Sequence, residues 1–430
     1  MVSAARGATE GRGAGAFGEV LVATAVGALL LWLSTFVLPP AQVPFPGHGE
    51  RFVAMARAPL AFDGEIPQRV LWPLLANLAG RVGVEPVPFS LGCSGALLAV
   101  VFWVCRRRGA AWVDALLVTA AVATSGAVLV YHTMACHSDS LFLLALLLAV
   151  QFAARPAAFW GLVLFAALAH ELVFLLLPWL LHLRRWHGAT WRREATWLAA
   201  VLASYAGYRM VARAIGPAGG ANYGFLYYFL TSFWVPWLLP GLWALWVLVV
   251  LVEFGPLLVV VVVGLVRGEH CLGGRIGPWL YLGGVLAMMM FSYDVMRFAS
   301  FVFVPLVFSA PALLGNVRRR AGFAALLVAA VGSYWWGHPV PSQQGGSVFT
   351  RVGGDMFALA APRARPGEEL MGFGDAMAVL GEAFPADAGI WALVLLGYAA
   401  VAAAGIWLAR QVGTASPAGS TPRTQRSASP

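Results

Sequence analysis

The chain has no lysine and few charged residues of any kind. Of its 430 residues, 11% are charged and 60% are hydrophobic, and all 28 basic residues are arginine. So little charge, combined with many apolar runs of spanning length, excludes an ordinary soluble protein and predicts a polytopic membrane protein. The net charge of +9 does not imply nucleic-acid binding, because an arginine excess is also typical of a GC-rich genome.

Cysteine is also scarce. The four cysteines show no CxxC spacing, which argues against a disulfide framework or a zinc site. The first apolar run, 17–38, is followed by Pro39 and Pro40 and has no A-x-A cleavage pattern. We interpret this run as a retained first helix.

The apolar pattern predicts an all-α fold, a transmembrane helix bundle of about twelve membrane segments. A single transmembrane domain over 17–409 is expected between disordered cytoplasmic tails at 1–16 and 410–430. The predicted segments are 17–38, 86–105, 110–131, 139–154, 157–169, 172–183, 195–213, 241–266, 276–293, 297–315, 321–337 and 388–409.

Arginine clusters orient the predicted bundle. With the N-terminus inside, the clusters at 106–108, 184–185, 192–193 and 318–320 all fall in the cytoplasm, as the positive-inside rule requires. The chain is therefore expected in the cell (inner or plasma) membrane with both termini cytoplasmic. Segments 157–169 and 172–183 are too short to cross, so they predict a helical hairpin that turns within the bilayer.

The predicted outer loops are 39–85, 216–240 and 338–387. In the first, an apolar series from Leu71 to Val82 predicts an amphipathic helix lying flat in the membrane interface. The second is rich in aromatic residues, which are typical of the headgroup region.

The same topology gathers the candidate acids and histidines, together with Arg69 and Arg297, at the outer boundary. An ionisable group at membrane depth is costly unless paired or hydrated, so such positions are candidates for function. For Asp294 and Arg297, a salt bridge at a helix end is an equally good interpretation. The candidates are His48, Glu50, Asp63 and Arg69 in the first loop, then His137, Asp139, His170, Glu171, Asp294 and Arg297.

Histidines beside acids also raise the question of a metal. His137, Asp139 and His170 offer ligand types that zinc accepts. However, "HELVF" lacks the second histidine of HExxH, and no paired HxxxH box is present. We expect no cofactor, and a divalent metal has no support in the spacing.

Four stretches carry a resemblance to a known family. "GHGERFVAMA" and "PQRVLWPLLANLAG" in the first loop, "ALAHELVFLLLPWLL" at the hairpin and "YDVMRFASFVFVPLV" late in the chain resemble the polytopic GT-C glycosyltransferases and their bacterial relatives. Such enzymes take a sugar from a polyprenyl-phosphate donor at the outer membrane face and pass it to a lipid, glycan or protein. The resemblance implies that Glu50 is the base. The family often has Asp where His48 stands.

The chemistry of glycosyl transfer indicates roles for these residues independently of the family resemblance. An acceptor hydroxyl needs a carboxylate base, for which Glu50 is the first candidate and Asp63 the second. The departing phosphate needs a cation, and the planar fork of Arg69 or Arg297 suits it. The other candidates, namely His48, His137, Asp139, His170, Glu171 and Asp294, would shape the sugar or acceptor site.

Two other functions remain open. A transporter or flippase for a polar lipid or solute would place its ionisable groups near the midplane between repeated halves. A glycan polymerase or ligase would share the outer site and the lipid-phosphate donor. The sequence does not separate these, and it identifies no sugar, acceptor or protein partner.

Overall fold

The computed structural model describes residues 7–36, 48–59, 69–125, 128, 131–132, 135–215, 257–261, 272–292, 298, 300–337 and 403. All regular secondary structure in the described part is helical, with no strand, which confirms the all-α class. Its helices are α1 (Gly7–Ser34), α2 (His48–Arg57), α3 (Leu71–Gly80), α4 (Pro86–Arg107), α5 (Trp112–Ala123), α6 (Asp139–Gln151), α7 (Pro156–Ala169), α8 (Leu177–Trp186), α9 (Trp191–Ile215), α10 (Gly277–Ser292), α11 (Phe303–Leu314) and α12 (Val317–Gly337), with 3₁₀ turns at Glu171–Leu176 and Ser300–Val302.

Proline and glycine set several of these boundaries. Pro86 and Pro156 stand at the start of α4 and α7, where the missing N–H costs nothing. Gly109 and Gly188 have φ of 86° and 82° and follow the ends of α4 and α8. Glycine adopts this left-handed conformation without a steric penalty, so it ends a helix cleanly.

Successive long helices run in opposite directions, so the bundle has two chemically different ends. We call one of them the arginine end. It is formed by the last turns of α4 and α8 and by the first turns of α5, α9 and α12. There Arg320 pairs with Asp114 at 2.6 Å, and Arg107 pairs with Glu19 at 3.3 Å. The histidine end contains the end of α1, the start of α6 and the end of α7. There Ser34 and His132 are hydrogen bonded at 2.9 Å.

The arginine end also contains a buried ion pair. Arg184, in the last turn of α8, donates from Nε and Nη2 to Glu194 of α9 at 3.0 and 2.8 Å. The Trp160 indole N–H donates to the same carboxylate at 2.8 Å, and Arg184 Nη1 donates to the carbonyl of Ala153. These contacts tie α6, α7, α8 and α9 together.

Helices α1 and α4 approach closely at glycine. A Cβ at Gly27 would lie 2.6 Å from the Gly95 carbonyl oxygen and 2.8 Å from the Ala99 nitrogen. Because both neighbours are backbone atoms, no larger residue fits at Gly27. Small residues at a helix crossing are typical of helix pairs in membranes.

Within the described residues, two helices, over Phe17–Ser34 and Pro86–Arg107, are long and apolar enough to cross a membrane. Six further apolar helices have 10–17 residues, among them Asp139–Gln151 and Pro156–Ala169. Large apolar side chains of α1 point outward, with Phe17 67% and Trp32 57% exposed. Such a surface is compatible with lipid.

The local structure agrees with the hairpin prediction and differs elsewhere. Helices α7 and α8 are short and joined through His170 and the Glu171–Leu176 turn, as predicted. Helix α1 begins at Gly7, inside the predicted tail, although the glycines of this stretch have a low helix propensity. Helix α2 was not predicted. The predicted loops 216–240 and 338–387, the C-terminal tail 410–430, nearly all of the segment 388–409 and most of 241–266 lie outside the described residues.

Candidate functional site

An ion pair joins the residues just before α3, in the predicted first outer loop, to the hairpin. Arg69 donates from Nε to Glu171 Oε2 at 2.9 Å and from Nη2 to Oε1 at 2.8 Å. The side chains are 11% and 27% exposed. Two parallel hydrogen bonds from a planar guanidinium fix both the distance and the orientation of the partners. This contact brings together two predicted site residues from distant parts of the sequence.

The polar side chains continue from Glu171 into the bundle. His170 Nδ1 lies 3.8 Å from Glu171 Oε2, and His170 Nε2 lies 3.8 Å from Asp139 Oδ1. On the far side, Asp139 Oδ2 lies 3.8 Å from His137 Nδ1. We call these five residues, Arg69, Glu171, His170, Asp139 and His137, the polar row. It passes from the partly exposed ion pair to three buried side chains.

A break in the helix positions His170. Helix α7 ends at Ala169, and His170 has extended backbone with φ −157° and ψ 115°. The N–H of Leu172 donates to His170 Nδ1 at 3.3 Å, so the ring caps the following turn. In its neutral form the ring therefore carries its proton on Nε2, towards Asp139. Edge contacts with Phe142 and Phe298, at centroid distances of 5.9 and 5.5 Å, hold the ring in place.

Electrostatics keep Glu171 ionised. Burial by itself would raise the pKa of Glu171, but the positive charges of Arg69 and His170 and the hydrogen bonds from Arg69 lower it. The resulting pKa lies well below the usual range of a glutamate. Glu171 is therefore a carboxylate held by Arg69, rather than a protonated acid ready to donate.

Helix α2 covers the inner part of the polar row. Phe52 is fully buried, with its ring 5.8 Å from that of Trp72 and 6.1 Å from that of His137. Asn77 Nδ2 donates to the carbonyl of Ala56 at 2.8 Å and joins α3 to α2. Glu50 is exposed in the first turn of α2. It therefore lies on the element that covers the polar row but is not a member of the row.

Five of the ten predicted site residues form the polar row, and Glu50 lies on its cover. The side chain of His48 and all of Asp63, Asp294 and Arg297 lie outside the described residues. Among the described residues, no group of three or more His, Cys, Asp or Glu side chains is arranged to hold a metal ion.

Sequence reasoning missed several residues near the polar row. Tyr131 Oη lies 3.1 Å from Ser300 Oγ, and the backbone N–H of Cys136, where φ is 72°, donates to Ser90 Oγ at 2.9 Å. Near the ion pair, Tyr205 of α9 lies next to Arg209. One signal was available in the sequence, because Tyr205 and Arg209 are polar, share one helix face and interrupt an apolar segment.

Comparison with protein-family models, curated proteins and solved structures found no match to this chain. What the chain does must therefore be inferred from its side chains. The polar row offers a carboxylate–guanidinium pair at its open end, with two imidazole rings and a carboxylate behind it. Such an arrangement can bind an anion or a polyol, and it can hold a reacting group in one orientation.

Proposed function

We propose that the chain is a multi-pass protein of the cell membrane, with about twelve membrane segments and the histidine end outside. The separation of charge supports this orientation, because the arginine clusters and the polar row lie at opposite ends of the bundle. The outward apolar side chains of α1 are suited to lipid.

We infer that this protein is a glycosyltransferase, which moves a sugar from a polyprenyl-phosphate donor to a lipid, glycan or protein acceptor at the outer face. The observation that carries the proposal is the polar row. It unites the first outer loop, the start of α6 and the hairpin at one end of the bundle. A lipid-linked substrate enters at such a boundary, since its chain stays in lipid while its headgroup reaches polar side chains.

The solvent exposure of each candidate residue indicates its role in the proposed reaction. Glu50 is on the solvent side of α2, where an acceptor hydroxyl arrives, and it is the proposed base, with Asp63 second. Arg69 and Arg297 are the proposed ligands of the phosphate that departs. The acceptor oxygen loses its proton to the carboxylate and forms a bond to the anomeric carbon of the sugar. At the same time, the bond between that carbon and the phosphate oxygen of the donor breaks.

The inner residues have a different part in this proposal. His137, Asp139 and His170 are almost fully buried, so they form the wall of the sugar or acceptor site rather than its entrance. Glu171 orients Arg69 through the two hydrogen bonds between them. His48 and Asp294 are the remaining proposed substrate ligands.

The test is turnover by purified full-length protein in lipid nanodiscs. A polyprenyl-phosphate sugar and a mixture of glycan and lipid acceptors should yield free polyprenyl phosphate, and Glu50→Gln should reduce the rate by about 100-fold or more. Glu85→Gln is the matched control, because Glu85 is an exposed glutamate before α4. Equal rates in the two variants would remove Glu50 from the base role, and Asp63→Asn would then be tested in the same way.

One observation favours transport as a second candidate. The His137–Asp139–His170 part of the polar row lies inside the bundle rather than on its surface. Chains of acids and histidines inside a membrane bundle are typical of transporters. Uptake of a polar lipid or solute into proteoliposomes without any covalent change would establish this alternative against the transferase.

A further inference from the structure

The last turns of α9 border the Arg69–Glu171 ion pair. Ala212 contacts Val70, the residue that follows Arg69, in a small buried cluster against which Tyr208 and Leu168 pack. Arg209 precedes Ala212 by three residues and therefore shares its side of the helix. The side chains of this part of α9 thus lie next to Arg69.

Tyr205 connects α9 to the hairpin. Its ring meets the ring of Phe174, in the Glu171–Leu176 turn, edge-on with centroids 5.0 Å apart. Its hydroxyl lies close to the Arg209 guanidinium, and Arg69 and Glu171 are both electrostatic neighbours. Two arginines and one carboxylate therefore act electrostatically on one hydroxyl.

The Tyr205 hydroxyl oxygen is buried, and it has no hydrogen-bond partner within the described part of the chain. The Arg209 guanidinium lies close to this hydroxyl but makes no well-aligned hydrogen bond with it. Buried hydroxyls normally have a partner. A ligand oxygen between Tyr205 and Arg209 would supply one.

The charge of this site favours an anion. The charges of Arg69 and Glu171 cancel, and Arg209 forms no ion pair with any described residue. Among the described residues of this site, one net positive charge therefore remains. Arg209 is half-exposed, and the next residues, Met210 and Val211, are 68% and 52% exposed and apolar. A cationic group thus lies at the edge of an apolar helix face.

We propose that Arg69, Tyr205 and Arg209 bind a phosphate group, and that this phosphate is carried by a lipid whose chain lies along the exposed apolar face of α9. Each guanidinium can donate two parallel hydrogen bonds to phosphate oxygens, and the tyrosine donates one more. The assignment deepens the proposed donor site and rests on the proposed function for the lipid source. Phosphate binding itself is measurable without any sugar transfer.

The experiment measures binding by full-length protein in phosphatidylcholine nanodiscs that contain or lack polyprenyl phosphate. A bound ligand raises the midpoint of thermal unfolding. We expect polyprenyl phosphate to raise the midpoint of the wild type. Arg209→Gln and Tyr205→Phe should each weaken binding by about 10-fold or more, whereas Arg209→Lys, which keeps the charge and loses the fork, should lie between. Inorganic phosphate, added to lipid-only nanodiscs, is the second probe.

Arg193→Gln is the matched control, because Arg193 is an exposed arginine of the same helix at the arginine end. Equal binding by Arg209→Gln, Arg193→Gln and wild type would overturn the site. Binding of inorganic phosphate without any effect of polyprenyl phosphate would support the anion site and overturn its lipid source. Binding that depends on Arg209, in a protein that transfers no sugar, would support this site while contradicting the proposed transferase.

Discussion

Arg69 and Glu171 are 102 positions apart in the chain and form a two-hydrogen-bond ion pair at the histidine end. The pair connects the residues just before α3 to the hairpin. Arg69→Gln or Glu171→Gln leaves a partly buried charge without its partner, and each should lower the free energy of unfolding by about 1–3 kcal/mol. Reversible unfolding of the purified protein in mixed micelles measures this loss.

The double variant measures the interaction between the two side chains separately from their contacts with other residues. Arg69→Gln/Glu171→Gln removes both charges, so it should cost about 1 kcal/mol less than the sum of the single losses. Arg57→Gln, at an exposed arginine of α2, should change stability by less than about 0.5 kcal/mol. If the single losses simply add, the two side chains are not coupled as the geometry indicates.

Lowering the pH should reduce the stability that this ion pair contributes. Because the pKa of Glu171 is lowered in the folded protein, its contribution to stability is fully present above the unfolded-state pKa of about 4.3. Below that pH the unfolded chain binds a proton that the folded chain does not, so the contribution falls. The stability difference between wild type and Glu171→Gln should therefore shrink from about pH 5 to about pH 3. A difference that stays constant would contradict the ionised pair.

Two substitutions of His170 test which of its ring nitrogens contributes to stability. Asparagine can replace Nδ1 as the acceptor for the Leu172 N–H, whereas glutamine reaches towards the position of Nε2. His170→Asn should keep the cap and be more stable than His170→Gln by about 1 kcal/mol. The comparison uses thermal unfolding, with the exposed His187→Asn and His187→Gln pair as control. Equal stability of the two His170 variants would show that the cap contributes little.

The sequence predicted the helical class and the hairpin, but not the contacts that complete the site. The position of His170 and Glu171 in a turn followed from segment length, a local property. The pairing of Glu171 with Arg69 depends on how α3 packs beside the hairpin, which no local pattern contains. Tyr205 and Arg209 lie in an apolar segment whose pattern predicts only a span. Their importance comes from the neighbours that the fold places around them.

A second buried ion pair should be more sensitive to substitution than the first. Glu194 is fully buried and Arg184 nearly so. Arg184→Met leaves the Glu194 carboxylate buried without its cation and should cost about 3–5 kcal/mol. Arg184→Met/Glu194→Gln keeps an acceptor for the Trp160 indole and should recover part of that loss. The same micelle unfolding assay measures both, and a double variant less stable than Arg184→Met would contradict this account.

Membrane orientation can be tested with two exposed positions at opposite ends of the bundle. Glu50 lies on α2, which covers the polar row, and Arg193 lies at the start of α9. In a chain whose four native cysteines are replaced by alanine, an impermeant thiol reagent should label Glu50→Cys in intact cells. Arg193→Cys should react only after the membrane is opened, because the arginine end is expected in the cytoplasm. Labelling of Arg193→Cys alone in intact cells would place the polar row on the cytoplasmic side, where a donor at the outer face cannot reach it.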